Sequence, residues 1–142
     1  MRPPLDNWDK VRRGVIKFKQ RYTAAVGRDL AGSPHLGIDY LVPVGTPVYA
    51  PMDGVCERFT TPIQGNVIYF RTETHLIRFL HLSKFSTQLK KWEVKEGDLI
   101  GYTGKTGRAF GAHIHIDIST SLVFSTNIKN YLDPDTFFLP QL

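Results

Sequence analysis

Three polar residues share one face of a predicted strand in the last third of the chain. Residues 112–119 alternate isoleucine with His113, His115 and Asp117, and successive strand residues point to opposite faces. The two imidazoles therefore point the same way, with Cα atoms roughly 6 to 7 Å apart. Burying such polar groups unpaired costs about 1 to 3 kcal/mol each, so they face water or bind a ligand. By itself, an exposed His-x-His strand is ordinary.

A second pair of polar residues, His35 and Asp39, lies four positions apart around a glycine. In a helix they would share a face, but Pro34 and Gly37 disfavour a helix here. In a straight strand their Cα atoms would be ~13 Å apart, too far to share one ion. A bend at or before Gly37 would bring them together, and glycine permits such a bend.

Together with His115, this pair supplies two imidazoles and one carboxylate. Catalytic zinc sites use three protein ligands and keep a fourth position for water, whereas structural sites use four protein ligands. The only cysteine, Cys56, stands in an apolar strand and is expected to be a small core residue. The residue types therefore favour a catalytic site over a structural one.

The sequence predicts different roles for the two remaining histidines, His81 and His75. His81 ends a predicted strand in RFLHLS, where it could act as a base or as a donor in the transition state. The alternative for His81 is a core histidine whose hydrogen bonds are satisfied. His75 lies in a predicted turn and receives no role.

The elements that must position these residues are predicted to be strands. The chain has 142 residues, 42% of them hydrophobic, which suits one globular domain. Its 12 Gly and 9 Pro stand among β-branched and aromatic residues, and turn signals recur every 8 to 12 residues from Leu36 onward, a spacing typical of an all-β barrel or sandwich. This composition excludes a coiled coil and collagen. A membrane-spanning helix is excluded because no apolar run approaches ~20 residues.

Local patterns indicate how the chain is organised around these strands. Residues 1–15 predict a short helical appendage, and 15–22 predict a half-buried strand with a basic outer face. Residues 23–34 read as a loop that rims the site and ends at His35. Residues 84–93 fit a helical turn or a loop, and the last dozen residues are expected to pack on the barrel.

The charge is concentrated at the front of the chain. Residues 1–34 hold eight Lys and Arg against three Asp, although the whole chain has a net charge of only +5. Such a segment suits nucleic acid, anionic wall polymers or a membrane surface, but a solvated strand face is the more common explanation. The first residues lack the apolar core of a signal peptide, and a single cysteine cannot form an intrachain disulfide.

Six short motifs follow one another in a fixed order over roughly residues 16–119. They are HLGID, VGTPVYAPMDGV, GNVIYF, FLHLS, VKEGDLIGYTGKTG and GAHIHIDI. Their order closely resembles that of the lysostaphin-type (LytM-like) zinc metalloendopeptidases, which cut peptides in bacterial peptidoglycan. The later LDPDTFF also looks like the closing Asp-Pro segment of that family.

The resemblance implies a role for each candidate residue. His35, Asp39 and His115 would be zinc ligands, and His81 and His113 would be the catalytic histidines. It also implies an all-β, antiparallel barrel-sandwich of the duplicated hybrid motif type with a short N-terminal helical appendage. Residues 1–15 would form that appendage and residues 16–142 the metallopeptidase domain.

The chain departs from the family pattern at two places. The family usually ends its strand as His-x-His-Phe-Glu, whereas Ile116 and Asp117 stand here, so the resemblance assigns no role to that acid. Many members place a tyrosine shortly before the first ligand. The nearest tyrosines here are Tyr22 and Tyr40, so no tyrosine donor to the oxyanion is assigned.

The sequence therefore predicts a zinc-dependent endopeptidase acting on stem or cross-bridge peptides of peptidoglycan. We expect a peptidoglycan peptide as its partner, no nucleic acid and no membrane insertion. A phage lysin or virion enzyme, or the excised domain of an exported protein, would suit this sequence. Two alternatives remain: a non-catalytic binding or activator module of the same fold, and a sugar-phosphotransferase carrier domain, which would not need Asp39.

Overall fold

The computed structural model describes residues 1–21 and 32–139. Within these ranges the regular structure is mostly antiparallel β-sheet with very little helix, as predicted. The helical elements are two short 3₁₀ turns, Trp8–Lys10 and Ile128–Asn130, and one α-helix, α1, Pro134–Phe137. The strands are β1 Arg12–Arg13, β2 Gly37–Leu41, β3 Pro47–Tyr49, β4 Gly54–Thr61, β5 Gly65–Arg71, β6 Leu76–Phe85, β7 Lys91–Val94, β8 Leu99–Thr103, β9 Ile114–Ser119 and β10 Tyr131–Leu132.

Strand β6 organises the sheet because it changes partner along its length. The main strand order is β1-β2-β9-β6-β5-β4-β7, and β8 joins both β3 and β6. The first half of β6 pairs with β9 through Leu80, and the second half pairs with β8 from Leu82 onward. Residue 81 therefore lies at the point where β6 leaves β9 and joins β8.

The hydrophobic core forms on one face of these central strands. Ile116 of β9 pairs with Phe79 of β6, which pairs with Ile68 of β5, and all three side chains are fully buried. Cys56 is also fully buried in this core, as predicted. Since neighbouring residues along each strand face the other way, the opposite face of β6 and β9 can carry polar groups.

The prediction of an N-terminal helix is wrong, because the helix lies elsewhere in the chain. The α-helix lies at the C-terminus, whereas the N-terminus has only the 3₁₀ turn Trp8–Lys10. Asn7 adopts left-handed backbone angles and makes no capping bond with its side chain. Leu5 and Trp8 are instead buried in the main core, so the packing of these apolar side chains dominates over local helix formation.

The prediction of a strand over residues 15–22 is also wrong for residues 15–20, which the structure describes. Residues 15–20 form turns, and Lys19 adopts a left-handed backbone with a φ of 67°. The chain turns there because its backbone encloses His35: the Gln20 carbonyl accepts the His35 N–H, and the Lys19 N–H donates to the His35 carbonyl. Tyr22 and residues 23–31 of the expected rim loop lie outside the described residues.

Arg13 joins the two ends of the described chain to β2. Its guanidinium forms a forked ion pair with Asp135 of α1, with an Nη2–Oδ1 distance of 2.8 Å. The same carboxylate accepts the Tyr40 hydroxyl at 2.9 Å. Arg13 also lies over the rings of Tyr40 and Trp8. The expectation that the tail packs on the barrel is met by Phe138, which is buried in the core.

The ambiguous segment 84–93 contains no helix. Strand β6 continues to Phe85 and β7 starts at Lys91, with a short loop between them. Among the described residues, no helix is long and apolar enough to cross a membrane.

Candidate metal centre and flanking histidines

Strand pairing brings the predicted ligands together. Asp39 of β2 lies directly opposite His115 of β9, and His35 precedes β2 by two residues. Gly37 sits against β9, where a Cβ atom would lie 2.0 Å from the Ile116 carbonyl oxygen. Only glycine allows β2 to enter so close to β9, and the side chains on either side of it meet, with His35 Nε2 3.5 Å from Asp39 Oδ1.

The three donor atoms have the spacing of a metal site. The His35 Nε2 and His115 Nδ1 atoms are 3.2 Å apart, and His115 Nδ1 and Asp39 Oδ1 are 3.1 Å apart. The third side, from His35 Nε2 to Asp39 Oδ1, measures 3.5 Å. Zinc bonds of ~2.0 to 2.2 Å in tetrahedral geometry separate the donors by about 3.4 Å. These three residues therefore fit a zinc ion without rearrangement.

Hydrogen bonds on the far side of each ring fix which nitrogen faces the centre. The His35 Nδ1–H donates to the Ile16 carbonyl at 2.8 Å, and a carbonyl can only accept. In the neutral ring Nε2 must then carry a lone pair. Likewise, the His115 Nε2–H donates to the Asp117 carboxylate at 2.8 Å, which leaves Nδ1 as the lone pair. Two lone pairs and a carboxylate facing one another are a cation site.

In the metal-free protein, His115 holds a proton in place of a metal ion. Burial lowers the pKa of His115, but hydrogen bonds to Asp117 and Asp39 outweigh burial and raise it to about 9. Burial would raise the pKa of Asp39, yet the neighbouring His115 and His35 rings hold it far below its usual range. A metal ion and the His115 proton therefore compete for the same position.

His81 reaches the site because β6 carries an extra residue. Ile68 pairs with Phe79 and Asn66 with Leu82, so three steps along β6 match two along β5. Regular alternation would direct His81 to the core face, since Leu80 already faces the site beside His115. The bulge gives His81 a left-handed backbone with a φ of 67°. Such bulges re-aim side chains near active sites, and this one accounts for the placement of His81.

His81 and His113 form a second pair of rings beside the three donors. Their ring centroids are 4.8 Å apart, and His113 Nε2 lies 3.8 Å from Asp39 Oδ1. Each ring donates its Nδ1–H to a carbonyl of the loop between β8 and β9. His81 donates to Thr106 at 2.8 Å and His113 to Gly111 at 2.9 Å. Both neutral rings therefore keep an Nε2 lone pair for a proton.

The pKa of His81 moves in the opposite direction from that of His115. Burial first, and the neighbouring His113 second, lower the pKa of His81 to about 4. The Thr106 carbonyl and the Asp39 carboxylate raise this pKa by less than burial lowers it, so His81 is neutral at physiological pH. His81 is buried and its Nδ1 is hydrogen-bonded, but its ring lies 4.8 Å from that of His113, so its catalytic role stays a prediction.

One residue of the site was not predicted from the sequence. Arg78, in the apolar strand β6, makes a forked ion pair with Asp117. The available signal was a lone charge within LIRFLHL, residues 76–82, which are otherwise apolar except for His81. His75, for which no role was expected, lies at the other end of β6 against Thr74 and Phe137.

Fold and site together define a class: an antiparallel β domain with the His, Asp and His donor set of a zinc peptidase, flanked by two further histidines. The chain belongs to peptidase family M23, whose sequence profile matches residues 33–131. The resemblance drawn from the ordered motifs is therefore confirmed. The family is zinc-dependent, and the relatives below include peptidoglycan endopeptidases.

Three relatives show how far the likeness extends. The peptidoglycan DD-endopeptidase ShyC of Vibrio cholerae is 34% identical over 99% of this chain and 30% of its own length. The catalytic domain of lysostaphin from Staphylococcus simulans superposes with a TM-score of 0.75 at 26% identity, covering 95% of this chain and 98% of that domain. A zinc-containing peptidase from Vibrio cholerae gives a TM-score of 0.67 at 30% identity, covering 81% and 35%. The chain spans less than a third of the length of the curated relatives it matches.

Proposed function

We propose that this protein is a zinc endopeptidase that hydrolyses peptide bonds in the stem or cross-bridge peptides of bacterial peptidoglycan. The observation that carries the proposal is the triangle of donor atoms on His35, Asp39 and His115, with sides of 3.1 to 3.5 Å, beside the His81 and His113 pair. We assign the three residues as ligands and the two histidines as catalytic residues, within a metallopeptidase domain over residues 16–142.

Bound zinc would lower the pKa of its water from 15.7 to about 7 and polarise the scissile carbonyl. His35, Asp39 and His115 would leave a fourth position open for that water. Their outer hydrogen bonds, to Ile16 and Asp117, keep both imidazoles oriented as ligands throughout the reaction.

The His81 and His113 rings would handle protons next to that position. When unprotonated, each ring presents an Nε2 lone pair, so either can accept the proton of the attacking water. Once protonated, the same Nε2–H can stabilise the tetrahedral oxyanion or pass its proton to the leaving amine. The left-handed backbone of His81 and the carbonyls of Thr106 and Gly111 hold the two rings in place before substrate binds.

The substrate class is inferred from the relatives. ShyC of Vibrio cholerae is a peptidoglycan DD-endopeptidase, and ALE-1 of Staphylococcus capitis is a glycyl-glycine endopeptidase. We therefore propose action on the bacterial cell wall, from a phage virion, by release at lysis or as part of an exported protein. Neither nucleic acid nor membrane insertion has a part in this proposal.

The test is digestion of purified cell walls that differ in their cross-bridges, followed by mass spectrometry of the new amino termini. We expect new termini within stem or bridge peptides, and loss of cleavage on zinc removal with recovery on zinc addition. The His115→Ala protein is the matched negative control. Zinc binding without any new terminus on every wall type would favour the non-catalytic binding module instead.

A further inference from the structure

Arg78 is a buried cation on the site face of β6. Only 3% of its surface is exposed, although arginine is seldom buried unless it is paired. Strand register places it directly opposite Asp117 of β9. Its guanidinium carbon lies 4.4 Å from the Phe124 ring centroid and 5.9 Å from that of Tyr69, so aromatic rings border the charge.

The guanidinium holds both oxygens of the Asp117 carboxylate. Arg78 Nε donates to Oδ1 at 2.9 Å, and Nη2 donates to Oδ2 at 2.6 Å. Two parallel bonds of this kind fix the plane of a carboxylate, which a single bond would leave free to rotate. Asp117 is itself fully buried, so water does not compete for these oxygens.

The same carboxylate determines the orientation of His115. Oδ2 of Asp117 accepts the His115 Nε2–H at 2.8 Å, while His115 Nδ1 faces the other donors of the candidate metal centre. Rotation of the Asp117 carboxylate would break this bond and release the ring from its position. The orientation of a ligand therefore depends on an arginine that does not touch the centre.

We propose that Arg78 is a positioning residue for the metal centre, acting through Asp117 to hold His115 with Nδ1 toward the ion. This inference rests on the proposed function, because it assumes that His115 is a zinc ligand. It also gives a role to the acid at position 117, where the ordered motifs left none.

Arg71 of β5 provides a matched control in the same sheet. It forms an ion pair with Glu57 of β4 at 2.9 Å, and its guanidinium lies 5.5 Å from the Tyr69 ring centroid. Both side chains of this pair are a third exposed, and neither contacts a candidate ligand in the described structure. A change at Arg71 therefore tests the loss of an arginine ion pair near Tyr69 without affecting His115.

The experiment compares the zinc-loaded wild type with the Arg78→Lys, Asp117→Asn and Arg71→Lys proteins. Lysine keeps the charge but not the fork, so the Arg78→Lys protein avoids leaving a lone buried carboxylate. Zinc affinity is measured by competition with a chelator at pH 9.5, above the His115 pKa of about 9, so that a change in proton competition does not mask the effect. The His115 Nε2–H is observed directly by ¹⁵N NMR, because a purely structural role of Arg78 would leave this signal unchanged in a folded variant.

We expect zinc affinity to fall roughly 10-fold to 100-fold in Arg78→Lys and Asp117→Asn, the range for groups that orient metal ligands. The His115 Nε2–H signal should broaden in both, and Arg71→Lys should match the wild type. Wild-type affinity with an unchanged signal in Arg78→Lys would overturn the inference alone. Should that variant not fold, the same two measurements on Asp117→Asn decide the question. A wild type that binds no zinc would overturn the proposed function and this inference together.

Discussion

Two groups of histidines lie side by side in this protein and have opposite electrostatics. In the candidate metal centre, His115 sits between the carboxylates of Asp39 and Asp117, and its pKa rises to about 9. In the neighbouring pair, His81 is buried beside another imidazole, and its pKa falls to about 4. Both rings are mostly buried, so burial alone does not explain the difference. The partners decide: His115 forms hydrogen bonds with two carboxylates, whereas burial and the neighbouring His113 outweigh the effect of Asp39 on His81.

This difference separates the two chemical tasks of a metallopeptidase. A ring whose surroundings attract positive charge suits a metal ligand, whereas a ring with a lowered pKa keeps its Nε2 lone pair unprotonated at physiological pH. The two groups meet at Asp39, which is 3.1 Å from His115 Nδ1 and 3.8 Å from His113 Nε2. Experiments that change one group at a time can therefore test whether the tasks are separate.

The largest effect is expected from removing a ligand. The wild type should hold about one zinc per chain, and His35→Ala, Asp39→Ala or His115→Ala should lose both the metal and wall cleavage. Metal analysis of the dialysed proteins measures this. His75→Ala is the control, because His75 lies at the far end of β6, and it should keep its zinc. Full zinc content in His115→Ala would contradict the ligand assignment.

Changing the second group should affect rate without affecting metal. His81→Asn and His113→Ala should retain zinc and lose roughly 10²-fold to 10⁴-fold in rate, the usual contribution of positioned acid–base groups. Asparagine is chosen at position 81 because it tolerates the left-handed backbone there. Zinc content and the rate of release of wall peptides are compared for each variant. Loss of zinc in either protein would mean that the two groups are not separable.

The pH dependence of zinc binding should reflect the high pKa of His115. At pH 7 the metal-free ring carries a proton that zinc must displace, so apparent zinc affinity should rise about tenfold per pH unit until pH reaches about 9. The same proton stabilises the metal-free fold fully below about 6.5, and this stabilisation is lost as pH rises through about 9.

Chelator competition between pH 6.5 and 9.5 measures this slope. The Asp117→Asn protein is the matched comparison, since it removes one of the two carboxylates that raise the pKa of His115. In this variant, apparent zinc affinity should stop rising with pH at a lower pH than in the wild type. A zinc affinity that does not vary with pH over this range in the wild type would contradict the proton competition.

The smallest predicted effect comes from a methyl group beside Asp39. A Cβ atom on Gly14 would lie 3.2 Å from Asp39 Cβ, closer than packed carbon atoms normally approach. Gly14→Ala should therefore displace the carboxylate by a few tenths of an ångström and weaken zinc binding roughly threefold to tenfold. His81 and His113 should be unaffected, so the rate per bound zinc should stay near that of the wild type. The control is Ser86→Ala, an exposed position in the loop between β6 and β7, away from the candidate ligands.

The sequence predicted the donor set because strand periodicity and ordered motifs both depend on local spacing. The alternation around His115 and the need for a glycine at position 37 could be read directly from the residue types. The placement of His81 could not, because it depends on a bulge that arises only when β5 and β6 pair. Arg78 was missed for a similar reason: its partner, Asp117, is 39 positions away, and only the register of β6 with β9 joins them.

The N-terminal prediction failed where long-range contacts outweighed local propensity. Apolar spacing around Trp8 favoured a helix, but Trp8 packs on Tyr40 and Phe138. Alternation around Ile16 favoured a strand, but the backbone there turns to meet His35. Both errors concern residues whose partners lie more than 15 positions away in the sequence.

The hydrogen bond from His35 to the Ile16 carbonyl has a practical consequence for anyone who trims or transplants this domain. The stretch that matches the family profile begins at residue 33, yet the carbonyl that orients His35 and the Gly14 amide that binds the Asp39 backbone both precede it. Asp135, which anchors Arg13, follows the end of the matched stretch. A minimal cassette cut at the boundaries of family similarity would contain every candidate ligand and lack the scaffold that aims two of them.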